Sequence, residues 1–137
     1  MKHWLIKSEP SAYSWDQLVK DKRTNWSGVR NYQAANNLKA MKKGDRAFFY
    51  HSNEGLEIVG VAEIVKEAYP DPSDATGRFV MVDVSAVMPV KTPVTLAAIK
   101  AEPKLKEFGL VRQGRLSVVP VSPDEWTLIT KMAGIKA

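Results

Sequence analysis

The chain has 137 residues, of which 45% are hydrophobic and 26% charged, proportions that fit a globular domain with a buried core. It has no cysteine, which excludes disulfides, a thiol nucleophile and a cysteine-based zinc site, and its two histidines are too few for a histidine-rich metal site. Twenty basic against fifteen acidic side chains give a net charge of +5. We expect no metal and no cofactor, because the chain has neither a glycine-rich phosphate loop nor a spacing of metal ligands.

The basic residues are unevenly placed. Residues 20–46 hold eight basic and two acidic side chains, and residues 100–115 hold five basic and two acidic ones. Positive charge gathered in this way attracts a polyanion and raises its rate of encounter, although a solvated lysine face is the ordinary alternative. Under the polyanion interpretation, five side chains are candidates for contact with a phosphate backbone: Lys7, Lys39, Lys42, Lys43 and Arg112.

The first third of the chain predicts one strand and two helices. Lys2–Lys7 is apolar and aromatic, as expected of a strand. Ser14, followed three residues later by Gln17, is a capping-box pattern that begins a short helix. A second helix is expected over Asn31–Lys42, with Asn31 as its N-cap and Gly44 as its left-handed C-terminal cap.

The central part of the chain predicts three strands. Arg46–Ser52 is rich in aromatic residues, and Leu56–Ala68 is a long alternating run in which Gly60 indicates a bend or bulge, as a barrel corner requires. Phe79–Met88 alternates valines with polar residues and predicts another long strand. We expect the prolines within residues 89–93 to end it.

The last third predicts short helices, a strand and a final helix. Thr95–Phe108 has helical character split near Pro103, and Leu116–Val121 is typical of a strand. Ser122–Glu125 combines an N-cap serine, a proline at the first helical position and a glutamate at the third, and it begins a helix that Gly134 ends. About five strands with short helices, without regular strand–helix alternation, predict an α+β protein built on a small mixed β-barrel.

The organisation of the chain is predicted to be simple. No repeat, low-complexity tract or linker divides it, so we expect one domain over residues 1–137. The apolar run Trp4–Ile6 is far too short for a signal peptide or a membrane span. We therefore expect a cytoplasmic protein without a membrane partner, and a monomer where the sequence leaves the oligomeric state open.

The stretch Trp26–Gln33 carries the clearest functional signal. It places an indole, a glycine, a guanidinium and an amide within six positions: Trp26, Gly28, Arg30 and Asn31. A flat aromatic ring beside a fork of hydrogen-bond donors suits a planar, hydrogen-bonding ligand, and a nucleobase is the commonest such ligand. From these residues alone, the alternative in which Trp26 is a core aromatic and Arg30 a surface charge has the same weight as ligand binding.

Three further segments combine polar or cationic residues with aromatic ones at predicted strand ends: Lys7–Pro10, Tyr50–Asn53 and Arg112–Ser117. Loops at one rim of a barrel converge to form sites, so we expect these segments to meet the Trp26 stretch. Arg112 and Arg115 have two interpretations, either surface charge or contact with a phosphate or a base edge.

An enzyme is one alternative to a binding protein. Ser8, Ser52 or Ser117 could act as a nucleophile with His51 as its base. The chain has no G-x-S-x-G elbow, however, and neighbours on a strand such as His51 and Ser52 point to opposite faces. We therefore predict a non-enzymatic protein. The sequence also leaves open a peptide-binding interaction module.

Six motifs, in order along nearly the whole chain, resemble the EVE domain family: Trp4–Pro10, Tyr13–Asp16, Trp26–Ala34, Phe49–Ser52, Glu67–Pro72 and Arg112–Val118. The resemblance implies a PUA-like β-barrel of about five to six strands, related to the YTH domains that read a methylated adenine. It also implies a single EVE domain with a pocket for a modified base, proposed in that family to be a modified cytosine in DNA.

The resemblance further implies eleven pocket and rim residues, by their positions in these motifs: Ser8, Trp26, Gly28, Val29, Arg30, Asn31, His51, Ser52, Arg115, Leu116 and Ser117. We expect a reader of a modified base in DNA or RNA, in which Trp26 stacks on the base while Asn31 and Ser117 read its edge. Two features depart from the family. The loop Asp74–Arg78 replaces a longer aromatic-containing insert, which puts a loop-borne pocket wall in doubt, and Ala35 stands where relatives often have arginine.

Overall fold

A computed structural model describes all 137 residues. The elements, in chain order, are β1 (His3–Ser8), α1 (Trp15–Asp21), β2 (Arg23–Asn25), α2 (Tyr32–Ala40), β3 (Arg46–His51), β4 (Glu57–Pro70), β5 (Val80–Thr95), α3 (Leu96–Ala101), a 3-10 turn (Pro103–Leu105), α4 (Gly109–Arg112), β6 (Val118–Val121) and α5 (Pro123–Ala133). No helix is long and apolar enough to span a bilayer, since the longest, α5, has 11 residues.

All six strands belong to one mixed sheet in the order β2-β5-β4-β3-β1-β6. β1 and β3 pair in parallel and the remaining pairs are antiparallel. Parallel neighbours need a long crossover, and here it contains α1, β2 and α2. The predicted α+β class is confirmed.

The sheet is strongly curved around helix α2. The ladder between β4 and β5 shifts register four times, and each shift bends the strands, as bulges do. Helix α2 contacts β4 and β5, which lie towards one edge of the sheet, and it also contacts β6, the strand at the opposite edge. A single helix reaches both only because the sheet wraps round it, which gives the predicted barrel with helices against it.

The predicted bend at Gly60 exists, and its cause is the packing of an indole. Register shifts between Ile58 and Gly60 against β5. A Cβ placed on Gly60 would lie 2.5 Å from three atoms of the Trp15 ring, so only glycine lets that ring rest on the β4 backbone. Trp15 is buried and meets Phe49 edge-on at 5.5 Å. Packing of this kind fixes α1 against the sheet.

The helix starts follow the predicted caps. Ser14, Asn31 and Ser122 each accept a backbone N–H with their side chains. The full capping box forms only at Ser122, because the side chain of Gln17 donates to Asp21 Oδ1 instead of turning back to its cap.

The predicted end of α2 is wrong by two residues. The helix ends at Ala40, and its C-cap Met41 is in extended conformation. Gly44 does have positive φ, +96°, but it serves the turn into β3, where its N–H donates to the carbonyl of Ile64. The long-range bond to β4 therefore decides the turn, rather than a local helix cap.

Strand β5 continues to Thr95, past the two prolines that were expected to end it. Pro89 faces Gly60 and Thr95 faces Glu57 in the β4 ladder. On its other side β5 pairs with β2 only over Asp83–Ser85. Beyond that point β5 is an edge strand, where a missing N–H breaks no ladder bond.

Two short elements were not predicted, β2 and α4. Strand β2 is the polar sequence Arg-Thr-Asn, which has no hydrophobic period, and it exists because it pairs with the middle of β5. Helix α4 has four residues and no side-chain cap. Both depend on tertiary contacts rather than on local sequence.

We predict that Gly60→Ala destabilises the protein by about 1–3 kcal/mol, the usual cost of an overpacked core, because the added methyl group meets the Trp15 ring. Urea unfolding measures this free energy. Gly114→Ala is the matched control, since a Cβ there meets nothing within 4 Å, and it should change stability little. Equal stability of the two variants would contradict the packing account.

Candidate functional site

A cavity of about 540 Å³ opens at the C-terminal end of β1. The walls come from four places in the chain: the end of β1, the segment before α1, the end of β2 with the stretch that leads from it to α2, and the residue before β6. The lining residues are Lys7, Ser8, Glu9, Ala12, Tyr13, Thr24, Asn25, Trp26, Ser27, Gly28, Val29, Arg30 and Ser117. Its size is that of an ordinary small-molecule site.

Trp26 forms the aromatic wall of this cavity. Its backbone N–H donates to the carbonyl of Val82 at 2.7 Å, which continues the β2–β5 pairing by one residue. The indole is 9% exposed and meets Phe49 and Tyr13 edge-on, at 5.6 and 6.3 Å between centroids. Trp26 is therefore packed in the core and also lines the cavity.

The β1 side of the cavity is tied together by short hydrogen bonds. The Ser8 hydroxyl donates to the carbonyl of Tyr13 at 2.5 Å, and the carbonyl of Ser8 accepts the N–H of Ser52 at 2.9 Å. The N–H of Lys7 donates to the carbonyl of Ser117 at 3.0 Å. Ser8 thus positions Tyr13, and the proton of its hydroxyl group is already used in this hydrogen bond and is not free to donate to a ligand.

Lys7 brings a cation into the cavity wall. Its Nζ donates to the carbonyl of Gly114 at 2.8 Å, and burial lowers the pKa of its ammonium group. An ammonium group has three donors, so two stay available for a ligand. Lys7 was predicted to contact phosphate, and the structure places it beside the Trp26 wall.

Gly28 and Arg30 form the outer wall of the cavity, and Asp71 holds both of them. Asp71 was not among the predicted site residues. Its buried carboxylate accepts the N–H of Gly28 at 2.8 Å, and Arg30 Nη1 lies 3.3 Å away. Ser73 donates to the other oxygen through its N–H and its hydroxyl, at 2.8 and 2.6 Å. Burial alone would raise the pKa of Asp71, but these hydrogen bonds outweigh it and lower the pKa to about 2.

Position 28 requires glycine because of its backbone conformation and not because a side chain would lack space. It has φ of +81°, and a Cβ built there meets nothing within 4 Å. The left-handed conformation turns its N–H toward Asp71. Asp71 follows Pro70 and precedes Pro72, so an acidic residue between two prolines at the end of a strand was the signal for this anchor.

Arg30 lines the cavity but is partly engaged by protein groups. Besides Asp71, its guanidinium donates to the carbonyl of Val29 at 3.2 Å and to Ser73 Oγ at 2.9 Å, and it lies over the Phe79 ring at 5.3 Å. Its side chain is 42% exposed. The guanidinium donors predicted at Arg30 are therefore present at the edge of the cavity, where hydrogen bonds to protein groups hold them in place.

Asn31, predicted to read a base edge, does not line the cavity. Its Oδ1 accepts the N–H of Ala34 at 2.9 Å as the N-cap of α2. The other predicted edge reader, Ser117, does line the cavity. The N-cap role of Asn31, which the sequence also predicted, occupies its Oδ1, the acceptor that would be needed to read a base edge.

The remaining predicted pocket residues lie beside the cavity or in the core. Ser52 and Arg115 line a neighbouring cavity of about 410 Å³ that shares Lys7, Glu9 and Ser117 with the first. Leu116 is 4% exposed, belongs to the core and does not line the cavity.

His51 has a structural role in this fold. Its Nε2 accepts the backbone N–H of Trp15 at 3.0 Å, and it does not line the cavity. Burial lowers the pKa of its imidazole, although the nearby carboxylates of Glu57 and Asp16 act in the opposite direction. The neutral ring that results suits an acceptor that holds the start of α1.

The basic residues that cluster in sequence do not cluster around the cavity. Lys42 and Lys43 precede β3, at the end of the parallel β1–β3 pair opposite to the cavity, so a six-residue strand of about 20 Å separates them from it. Lys39 lies in the last turn of α2, about 11 Å along the helix from Tyr32. Helix α2 carries all three away from Trp26.

Arg112 and the short loop Asp74–Arg78 both lie outside the lining of the cavity. Arg112 is paired with Glu107 at 2.7 Å on the surface and does not line the cavity. No residue of Asp74–Arg78 lines it either. This loop folds on the Asp74 carboxylate, which accepts donors from Thr76, Arg78 and Phe79. No group of three or more histidine, aspartate or glutamate side chains is placed to hold a metal.

The sequence profile of the EVE domain matches residues 2–132. This chain belongs to the EVE domain family. It is 37% identical to thymocyte nuclear protein 1 of Homo sapiens over 95% of the chain and 73% of that protein, and 37% identical to the Gallus gallus protein over 95% and 68%.

Solved structures of similar proteins agree with this family. The NMR structure of Rpa0253 from Rhodopseudomonas palustris is 58% identical, with a TM-score of 0.93 over 98% of this chain and 94% of that one. A crystal structure of human THYN1 protein in complex with DNA containing 5-methylcytosine is 35% identical, with a TM-score of 0.90 over the full length of both chains. A YTH domain from Zygosaccharomyces rouxii, 16% identical with a TM-score of 0.57, shares the fold.

We predict that Asp71→Asn weakens the outer wall and lowers stability in a pH-dependent way. The pKa of Asp71, about 2, lies below the ordinary 3.8, so its charge stabilises the fold above pH 4 and this contribution is lost as the pH falls towards 2. The depression corresponds to about 2 kcal/mol at neutral pH. Urea unfolding should show that difference from wild type at pH 7, shrinking towards pH 2.

The matched control is Glu54→Gln, which removes an exposed carboxylate from the turn before β4 and should change stability little. A stability loss from Asp71→Asn that is the same at pH 2 and pH 7 would show that the charge of Asp71 is not what holds Gly28 and Arg30.

Proposed function

We propose that this EVE domain is a non-enzymatic reader that holds a modified, cytosine-type base of DNA or RNA in the cavity walled by Trp26. The observation that carries the proposal is the match, over its full length, to a THYN1 structure solved with DNA containing 5-methylcytosine, together with an indole-walled cavity in this chain. A base enters such a cavity only from a single strand or after leaving the duplex stack.

The cavity supplies the contacts that a base requires. Trp26 lines the cavity with an indole that meets Phe49 and Tyr13 edge-on, and stacking of a base on such a ring is worth about 1–3 kcal/mol. Lys7 and Ser117 supply hydrogen-bonding groups in the same lining. An edge reader at Ser117 fits this geometry, whereas Asn31 is committed to its helix cap.

Discrimination for a methyl group must come from shape as well as burial. A buried methyl or methylene group contributes only about 0.8 kcal/mol, which is a few-fold in affinity. A rigid wall that excludes water and leaves an edge hydrogen bond unpaired for the wrong base adds more. The cavity walls are rigid in this sense, because Asp71 fixes one side and the Trp26 backbone bond to Val82 fixes the other.

The contacts of His51 favour binding over catalysis. The enzyme alternative needs His51 as a base, yet its Nε2 already accepts a backbone N–H and it lies outside the cavity. The lining is also mostly polar, which suits a base better than the apolar side chain of a peptide. The cytoplasmic location, the single-domain organisation and the monomeric state predicted from the sequence stay predictions.

We predict that Trp26→Leu abolishes the preference for an oligonucleotide containing 5-methylcytosine over its plain counterpart, because the flat wall that fits the modified base by shape is lost. Leucine retains part of the buried volume, whereas alanine would cost about 3–5 kcal/mol of core packing at this buried site. Fluorescence anisotropy with labelled single strands measures both affinities.

Trp15→Leu is the matched control. It removes a second buried indole that also packs on Phe49, but Trp15 does not line the cavity, so the preference should persist. The proposal would be wrong if Trp26→Leu discriminated like wild type, or if Trp15→Leu lost the preference equally.

We predict no turnover when the protein is incubated with labelled DNA and RNA, plain or methylated, and no effect of His51→Ala on that result. Gel electrophoresis of the strands and chromatography of the released nucleosides detect cleavage and base conversion. Product that appears with wild type and disappears with His51→Ala would overturn the non-enzymatic proposal and restore the enzyme alternative.

A further inference from the structure

An exposed tyrosine lies next to the candidate cavity. Tyr32, the first residue of α2, is 64% exposed, and it is the only aromatic ring among the exposed large hydrophobic residues. Single exposed hydrophobic side chains are ordinary on protein surfaces. The neighbours of Tyr32 are what distinguish it.

The Tyr32 ring is the outermost member of a stack that leads to the cavity. One of its faces packs on Phe79 at 5.4 Å between centroids and an angle of 33°, and the guanidinium of Arg30 lies 5.3 Å from the centroid of the same Phe79 ring. Arg78 Nη1 lies 3.5 Å from the Tyr32 hydroxyl. We call these four residues, Arg30, Tyr32, Arg78 and Phe79, the tyrosine platform.

The polar groups that the platform presents are mainly donors. Asp71 is buried beneath it, and Asp74 accepts four hydrogen bonds from its own loop. Arg30 and Arg78 are both exposed. An exposed flat ring with guanidinium groups nearby is the combination that binds a base by stacking and a phosphate by charge-assisted hydrogen bonds.

The platform is continuous with the cavity, because Arg30 belongs to both. We propose that the tyrosine platform is a second nucleotide subsite: it stacks the base next to the one held in the cavity, while Arg30 and Arg78 contact the phosphate between them. This inference rests on the proposed function, since it takes the strand of the bound base as its ligand.

The two subsites have different consequences for binding. Stacking on an exposed tyrosine is tolerant of sequence, because every base has a π-face. The platform therefore raises affinity for any single strand and adds nothing to the preference for a modified base. A free nucleoside occupies the cavity alone and does not reach the platform.

The test compares Tyr32→Ala, Tyr32→Phe and Val19→Ala with wild type. Three ligands are used: a single-stranded heptanucleotide with a central 5-methylcytosine, the same strand with cytosine, and free 5-methyl-2′-deoxycytidine. We expect Tyr32→Ala to weaken both strands about tenfold, to leave their ratio unchanged and to leave nucleoside affinity unchanged. Tyr32→Phe keeps the stacking face and should bind nearly as wild type.

Val19→Ala removes an exposed apolar residue on α1 outside both subsites and should change nothing. Strand affinity unchanged in Tyr32→Ala would overturn the inference, and so would a fall in nucleoside affinity or a changed ratio, since Tyr32 would then act within the cavity. If the wild-type protein showed no preference for the methylated strand, the proposed function would be contradicted instead. In that case, a tenfold loss of affinity for the plain strand in Tyr32→Ala would still support the platform.

Discussion

The buried carboxylate of Asp71 ties the Gly28–Arg30 wall of the cavity to the turn after β4. It lies in the turn after β4, yet it holds the N–H of Gly28 and the guanidinium of Arg30 from the stretch before α2. A carboxylate with several donors around it is stable in its charged form even when buried, which explains the low pKa of this group. The wall, the stacked Arg30 and the platform beyond it all depend on this contact.

The inner wall depends on aromatic packing around Phe49. Trp26 and Trp15 both meet the Phe49 ring edge-on, and Trp15 in turn rests on the backbone of Gly60. The indole that faces the cavity is therefore supported by the same cluster that fixes α1 against the sheet. A site built on the core in this way is rigid, which suits selection by shape rather than by a closing loop.

Local signals predicted much of the fold, while contacts between distant segments decided the rest. The caps at Ser14, Asn31 and Ser122 and the bend at Gly60 follow from short patterns. Strand β2 and the extension of β5 depend on pairing that no short window contains. The same holds for the site: Trp26, Arg30 and Ser117 were found by residue type, but the anchor at Asp71 was missed. Lys39, Lys42 and Lys43 lie away from the cavity, because helix α2 separates residues that are close in sequence.

The central claim is that a modified base lies against Trp26, and intermolecular NMR distances test it most directly. An oligonucleotide whose 5-methylcytosine carries a ¹³C-labelled methyl group would be bound to the protein, and nuclear Overhauser effects from that methyl group would be assigned. The account predicts contacts to protons of residues that line the cavity, foremost the Trp26 indole and Ser117. Contacts confined to the Lys42–Lys43 end of the sheet, with none to the Trp26 ring, would contradict it.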